Sequence, residues 1–196
     1  MPVSKSFTLI EVLVTTSIVL ILTILVFPDF RTANSSFALQ RSAYKLVQDL
    51  RRVEEMSMSA KSTPSSFGSE LFPQGGYGVY LQEATGTYSI FADCNNNISM
   101  DESGFAFSCK QATAINPFPE KMEQILMERS ITVKSIYNSG VERPSINLVF
   151  FPPDPIVKVY PLPPPGSNGI IEITLTSGSS NKTILINSTG LIEVKN

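Results

Sequence analysis

Residues Phe7–Phe27 read FTLIEVLVTTSIVLILTILVF, an apolar run in which Glu11 is the only charged residue. At about 1.5 Å per residue, a helix of this length covers the roughly 30 Å of hydrocarbon in a bilayer. A secretory signal peptide has a shorter apolar core, of roughly 7 to 15 residues, followed by a cleavage site made of small residues. The segment 7–27 is therefore predicted to be a transmembrane helix.

Glu11 needs an explanation, because a lone carboxylate at the centre of a membrane helix costs roughly 2.5 to 3.5 kcal/mol. One interpretation is that its side chain reaches the lipid headgroups. Another is that the leader 1–6, MPVSKS, is cut between Ser6 and Phe7, which places a new α-amine four residues before Glu11. In a bundle of identical helices, each Glu11 could then pair with the amine of a neighbour and fix the axial register.

These N-terminal residues resemble the class III signal of type IV prepilins and pseudopilins. The features that carry the resemblance are a short leader with Lys5, then Phe-Thr-Leu-Ile-Glu at Phe7–Glu11, then an unbroken hydrophobic helix. Ser6 stands where the family usually has Gly. Pro28 also fits, since pilin helices often carry a proline here, where it removes a helical hydrogen bond and permits a kink.

The resemblance implies that a prepilin peptidase cleaves between Ser6 and Phe7, that the Phe7 amine is methylated, and that Glu11 directs methylation and assembly. It implies partners of three kinds: the peptidase, other pilin or pseudopilin subunits, and the inner membrane. The subunit is expected to be a single-pass inner-membrane protein with its globular domain outside the cytoplasm, and then to enter a pilus or pseudopilus.

After the apolar run, the spacing of apolar residues is first helical and later becomes that of strands. Residues 28–60 carry an apolar stripe at helical spacing, which predicts an amphipathic continuation of the helix that packs on the following domain. Residues 61–76 are a predicted linker, and 77–196 alternate with period two, as strands do. The expected fold class is α+β, a pilin fold: a long N-terminal helix, with a transmembrane half and an amphipathic half, packed on a C-terminal antiparallel β-sandwich-like domain. The stripe comprises Ala43, Leu46, Val47, Leu50 and Val53; the predicted strands are Tyr77–Gln82, Thr87–Asp93, Ser130–Tyr137, Ser145–Phe151, Ile156–Tyr160, Ile170–Thr176, Thr183–Asn187 and Leu191–Lys195, and Glu120–Arg129 favours strand over helix.

Segments of this distal domain resemble the minor pseudopilins of the H type and the FimT minor pilins. The resemblance rests on YGVY, IFADCNNN, LVFFPPDP and the closing TILINSTGLIEV. DNA-binding members of the FimT group carry a basic Gly-Arg-x-Arg motif near the C-terminus. The tail here is GLIEVKN, with Lys195 as its only cation, so DNA binding is not implied.

A short polar segment has oxygen-bearing side chains at every second position, as a calcium-binding loop requires. An EF-hand-type loop has Gly at its sixth position, where this chain has Ile98, and Glu at its twelfth, where it has Gly104. The alternative is an Asn-rich turn whose side chains cap their own backbone. Calcium is thus a hypothesis for five candidate ligands: Asp93, Asn95, Asn97, Ser99 and Asp101.

Cys94 and Cys109 are the two cysteines of the chain, and they flank this polar segment. A disulfide that closes a loop of about 15 residues stabilises a protein by about 3 kcal/mol in the chain-entropy model. The alternative is that Cys94 is simply a core residue of the preceding strand. The sequence leaves both interpretations of Cys94 open.

The amino-acid composition argues against two classes of function. The absence of histidine removes the usual general base and the commonest zinc ligand, so an enzyme is not expected. A formal net charge of −2 gives no excess of cations for general nucleic-acid binding. The predicted function is a minor pilin or pseudopilin of a type IV pilus or a type II secretion-like filament. The alternative is a permanently membrane-anchored extracytoplasmic binding module, or a calcium-dependent adhesin, that retains MPVSKS.

Overall fold

A computed structural model of the protein describes residues 8–68, 70–153, 156–178 and 180–195, without the side chains of 25–33. The predictions made for the leader, for Ser6 and Phe7, and for the kink at Pro28 fall outside these residues. By its internal contacts the chain divides into two compact units, Met1–Phe37 and Ala38–Asn196.

Helix α1 spans Leu9–Met58. Thr8 precedes it and caps its first turn, because the N–H of Glu11 donates to the Thr8 carbonyl at 3.1 Å and to its hydroxyl at 3.4 Å. The hydroxyls of Thr15 and Thr23 donate to the helix carbonyls four residues earlier. These polar side chains are therefore satisfied by their own helix and leave the surface of the first section apolar.

The transmembrane prediction is wrong on this structure. Among the described residues, no helix is both long and apolar enough to cross a membrane. This finding contradicts the transmembrane segment 7–27 and the predicted location as a single-pass inner-membrane protein.

The predicted fold class is corrected at the same time. An α+β pilin fold with a transmembrane half was expected, whereas the described architecture is mostly β, with two antiparallel sheets of five strands. In chain order the described strands are β1 (Gly76–Gln82), β2 (Thr87–Asp93), β3 (Lys121–Leu126), β4 (Thr132–Asn138), β5 (Val141–Glu142), β6 (Ser145–Phe151), β7 (Ile156–Tyr160), β8 (Ile171–Ser177), β9 (Ser180–Ile186) and β10 (Ile192–Lys195).

The first sheet has the strand order β3-β2-β1-β6-β7 and the second has the order β10-β9-β8-β4-β5. All pairings within the described strands are antiparallel, and most join strands that follow each other in the chain. The prediction of strands from the period-two pattern is confirmed, including the choice of strand for the ambiguous segment that contains β3.

The short strand β5 was not predicted. Asn138 pairs with Val141 across a two-residue turn made by Ser139 and Gly140, whose φ angles are 54° and 81°. Two successive positive φ values are typical of the turn that joins tight hairpins. The strand has only two residues, Val141 and Glu142, which is too short for a recognisable alternation.

In the second unit, the end section of α1 packs on both sheets. The predicted apolar stripe is confirmed, since all five of its residues are buried in one core with Leu148 of β6 and Ile173 of β8. Polar contacts hold the same section in place: the Tyr88 hydroxyl donates to Asp49 at 2.6 Å, and Arg41 donates two hydrogen bonds to Glu128. The helix is therefore part of the folded β unit from residue 38 onwards.

Candidate functional site

The first candidate site is an apolar surface formed by α1 between Leu9 and Ile24, called here the apolar helix surface. Every described residue in this range is exposed, with large apolar side chains between 48 % exposed (Val14) and 84 % exposed (Leu9). Consecutive apolar residues, such as Ile18–Leu22, point in successive directions about 100° apart and so cover all sides of the helix. A helix that is apolar on every side requires other apolar groups around it.

Glu11 is the one charged residue of the apolar helix surface. It lies exposed in the first turn, where the positive end of the helix dipole favours a carboxylate. Its side chain has no hydrogen-bond or ion-pair partner among the described residues. The partner expected from the sequence, the α-amine of Phe7, lies outside those residues.

The polar segment that follows β2 folds around its own backbone. The two carboxylate oxygens of Asp93 accept the N–H groups of Asn97 at 3.1 Å and Ile98 at 2.9 Å. The side-chain amides of Asn95 and Asn97 both donate to Asp101, at 2.7 and 3.1 Å. The N–H of Asn97 also donates to the side-chain oxygen of Asn95 at 3.2 Å, which is the two-residue spacing of an Asx turn.

This geometry favours the capping alternative over calcium. The side-chain oxygen of Asn97 accepts the N–H of Ser99 at 2.8 Å, so another predicted ligand atom is already in use. In the part of the chain that the structure describes, no group of three or more His, Cys, Asp or Glu residues could hold a metal ion. The five residues proposed as calcium ligands, Asp93, Asn95, Asn97, Ser99 and Asp101, lie in a hydrogen-bonded turn, and calcium binding by them stays a prediction.

Glu120 joins this turn from a distant part of the chain, and no pattern in the sequence predicted its role here. Its side chain accepts the N–H of Cys94 at 2.8 Å and the N–H of Asp101 at 3.0 Å. Its own N–H donates to the Asp101 carbonyl, and its carbonyl accepts the N–H of Ala92. Four hydrogen bonds from one residue thus connect the end of β2 to the far end of the loop.

Two carboxyl groups are fully buried here, those of Glu120 and Asp93, each with 0 % exposure. Burial raises the pKa of Glu120 to about 8; hydrogen bonds from the N–H groups of Asp101 and Cys94 oppose the rise, and the charges of Asp93 and Asp101 add to it. Burial also raises the pKa of Asp93, against the effect of its backbone hydrogen bonds. Burial therefore favours the neutral form of both carboxyl groups.

The structure joins Cys94 and Cys109 by a disulfide with a sequence separation of 15. Both residues are also buried, at 0 % and 4 % exposure. The two alternatives left open by the sequence therefore occur together, because Cys94 is both bonded and part of the core. The bond ties Cys109, which follows the polar loop in the chain, to Cys94 at the end of β2.

Replacing both cysteines by serine is expected to lower the free energy of unfolding by about 3 kcal/mol, since the loop is then free in the unfolded chain. Urea unfolding followed by circular dichroism measures the change. The unsubstituted chain, with and without a reducing agent, is the matched control and should show the same difference. An unchanged unfolding midpoint in both comparisons would rule out a stabilising role for the bond.

Comparison of the chain with protein-family models, with curated proteins and with solved structures finds no match. The family resemblance of the N-terminus accordingly rests on the residues of the motif alone.

Proposed function

We propose that the chain is a structural subunit of the pilin or pseudopilin kind, which packs its apolar helix surface against the same surface of other subunits in a filament. One observation carries this proposal: the large apolar side chains of Leu9–Ile24 are exposed on every side of the helix. A pairwise contact covers one face of a helix, whereas the interior of a helical bundle covers all of them. Packing in a filament therefore explains why apolar side chains are exposed on every side of the helix.

Glu11 fixes the axial offset between neighbouring helices in this packing. A carboxylate inside a bundle of apolar helices is stable only with a cationic partner, and an unpaired one is strongly unfavourable. Cleavage between Ser6 and Phe7 supplies an α-amine at the start of the helix, close in sequence to Glu11. An ion pair between the amine of one subunit and Glu11 of the next permits only one axial offset, so the same contact repeats along the filament.

Processing is the chemical step that this function requires. The proposed enzyme is a prepilin peptidase, which cuts before Phe7, and the proposed modification is methylation of the new amine. The motif that supports it is Phe-Thr-Leu-Ile-Glu at Phe7–Glu11, directly after a leader with a single lysine. Secretion, pilus and competence filaments share such subunits, and the proposal covers all three.

The mass of the protein isolated from its native host tests the proposal. We expect an intact mass that corresponds to Phe7–Asn196 plus one methyl group, and an N-terminal peptide that carries this methyl group on the amine of Phe7. Protein expressed in a host that lacks a prepilin peptidase is the control and should retain residues 1–6. A native protein that begins at Met1 would contradict the proposed processing.

A further inference from the structure

An asparagine followed by a glycine occurs once in the sequence, at Asn168 and Gly169 in the connection between β7 and β8. Asn168 is exposed, and the connection around it is neither helix nor strand. The side-chain oxygen of Asn168 accepts the N–H of Ile170 at 3.2 Å, which is the two-residue spacing of an Asx turn. The side-chain amide of Asn168 is therefore folded over the main chain that follows it.

Gly169 supplies the nucleophile for an intramolecular reaction with this amide. A bond from its nitrogen to Cγ of Asn168 closes a five-membered ring, and glycine has no side chain that obstructs the approach. Among the described residues, none accepts a hydrogen bond from the N–H of Gly169, so hydroxide can remove its proton. The N–H of Ile170 donates to the oxygen on which negative charge develops during the attack, and it stabilises that charge.

We propose that Asn168 is a site of spontaneous deamidation in the folded protein. The deprotonated nitrogen of Gly169 attacks Cγ of Asn168, the bond from Cγ to Nδ2 breaks, and the amide leaves as ammonia after it takes a proton from water. Water then opens the resulting succinimide at either carbonyl and gives aspartate or isoaspartate. In sum, the side-chain amide and one water molecule become a carboxylate and an ammonium ion. The reaction requires no enzyme, so the modified fraction rises with the age of the protein.

The modification changes both the charge and the main chain of the second unit. Each event adds one negative charge to the formal net charge of −2, which becomes −3. Isoaspartate also lengthens the main chain by one carbon directly before Gly169. The next carbonyl, that of Ile170, accepts the N–H of Ser139 at 2.7 Å, and β8 begins at Ile171. Isoaspartate therefore alters the spacing at the point where the connection enters the second sheet.

Asn187 provides an internal comparison, because it forms the same turn without the glycine. Its side-chain oxygen accepts the N–H of Thr189 at 3.0 Å, again two residues later, and also the N–H of Leu191 at 2.9 Å. The residue after it is Ser188, whose side chain obstructs the attack. We expect Asn187 to remain an amide under conditions that convert Asn168.

Peptide mass spectrometry of the folded full chain, sampled over time at several neutral to alkaline pH values, measures the conversion. Digestion at acidic pH stops the reaction during sample preparation. The peptide with Asn168 should gain the mass difference between an amide and a carboxylic acid and elute in two forms, aspartate and isoaspartate. The rate should rise with pH, because hydroxide removes the proton of Gly169. Asn168→Gln should lose the conversion, since its longer side chain cannot close the five-membered ring, and Asn187→Gln is the matched control and should retain it.

The contrary results are equally specific. An unmodified Asn168 in the folded chain would overturn the proposal, and conversion of a synthetic peptide of residues 163–174 under the same conditions would then show that the fold protects this amide. Conversion of Asn187 at the same rate would show that Gly169 does not determine the site. A modified fraction that persists in Asn168→Gln would place the reaction at another residue.

Discussion

Ile18→Lys and Leu20→Lys are each expected to weaken the self-association of the chain strongly. Ile18 and Leu20 are 52 % and 62 % exposed, and they lie about 200° apart around the helix. In a filament whose subunits surround each helix, either lysine would be buried without a partner, at a cost of several kcal/mol. Since about 1.4 kcal/mol corresponds to a factor of ten, association should weaken more than roughly 100-fold. Sedimentation velocity over a hundredfold dilution series measures this change.

The matched control is Leu126→Lys, which introduces the same side chain at a position 72 % exposed in β3. This variant should associate like the unsubstituted chain. Dissociation by only one of the two helix variants would indicate a contact on one face, which contradicts packing on all sides. Full association by both would mean that the apolar helix surface is not the contact.

Strands β7 and β8 could be predicted because their burial follows the alternation of the sequence. In β8, the residues from Ile171 to Leu175 alternate between buried and less buried positions, and β7 shows the same pattern around Val157 and Val159. Period-two alternation has one structural interpretation when turn residues bound the segment. The apolar stripe of the amphipathic helix was predictable for the same reason, with a period near 3.6.

The loop could not be resolved from its sequence because two structures share its pattern. Oxygen-bearing side chains at every second residue suit a calcium site, and they suit equally a turn in which the oxygens accept backbone N–H groups. What separates the two is the direction of the N–H groups of Asn97 and Ile98, which point at Asp93. Backbone direction is a property of the folded loop, and no residue type in the segment encodes it alone.

Glu120 was missed for a different reason. Its partners Cys94 and Asp101 are 26 and 19 residues away, so its burial depends on contacts that only the tertiary structure creates. A glutamate beside Pro119 in a polar stretch is typical of an exposed loop.

The second prediction concerns the stability contributed by the section of α1 that belongs to the second unit, Ala38–Asn196. Leu50 has 0 % exposure and lies in the same core as residues of both sheets. Truncating a buried leucine to alanine removes its packing and leaves a cavity, at a cost of about 2 to 5 kcal/mol. We expect Leu50→Ala to lower the free energy of unfolding of the second unit by about 3 kcal/mol, within that range. Urea unfolding monitored by the β-sheet signal in circular dichroism measures this value.

Leu126→Ala makes the same chemical change at an exposed position of β3 and should alter the free energy of unfolding by less than about 0.5 kcal/mol. Comparing the two variants distinguishes a helix that packs on the sheets from a helix that is independent of them. If the helix packs on the sheets from Ala38 onwards, the sheets unfold more easily when Leu50 is truncated, because helix and sheets share one core. If the helix were an independent extension, Leu50→Ala and Leu126→Ala would have equally small effects, and the assignment of Ala38–Met58 to the β unit would be wrong.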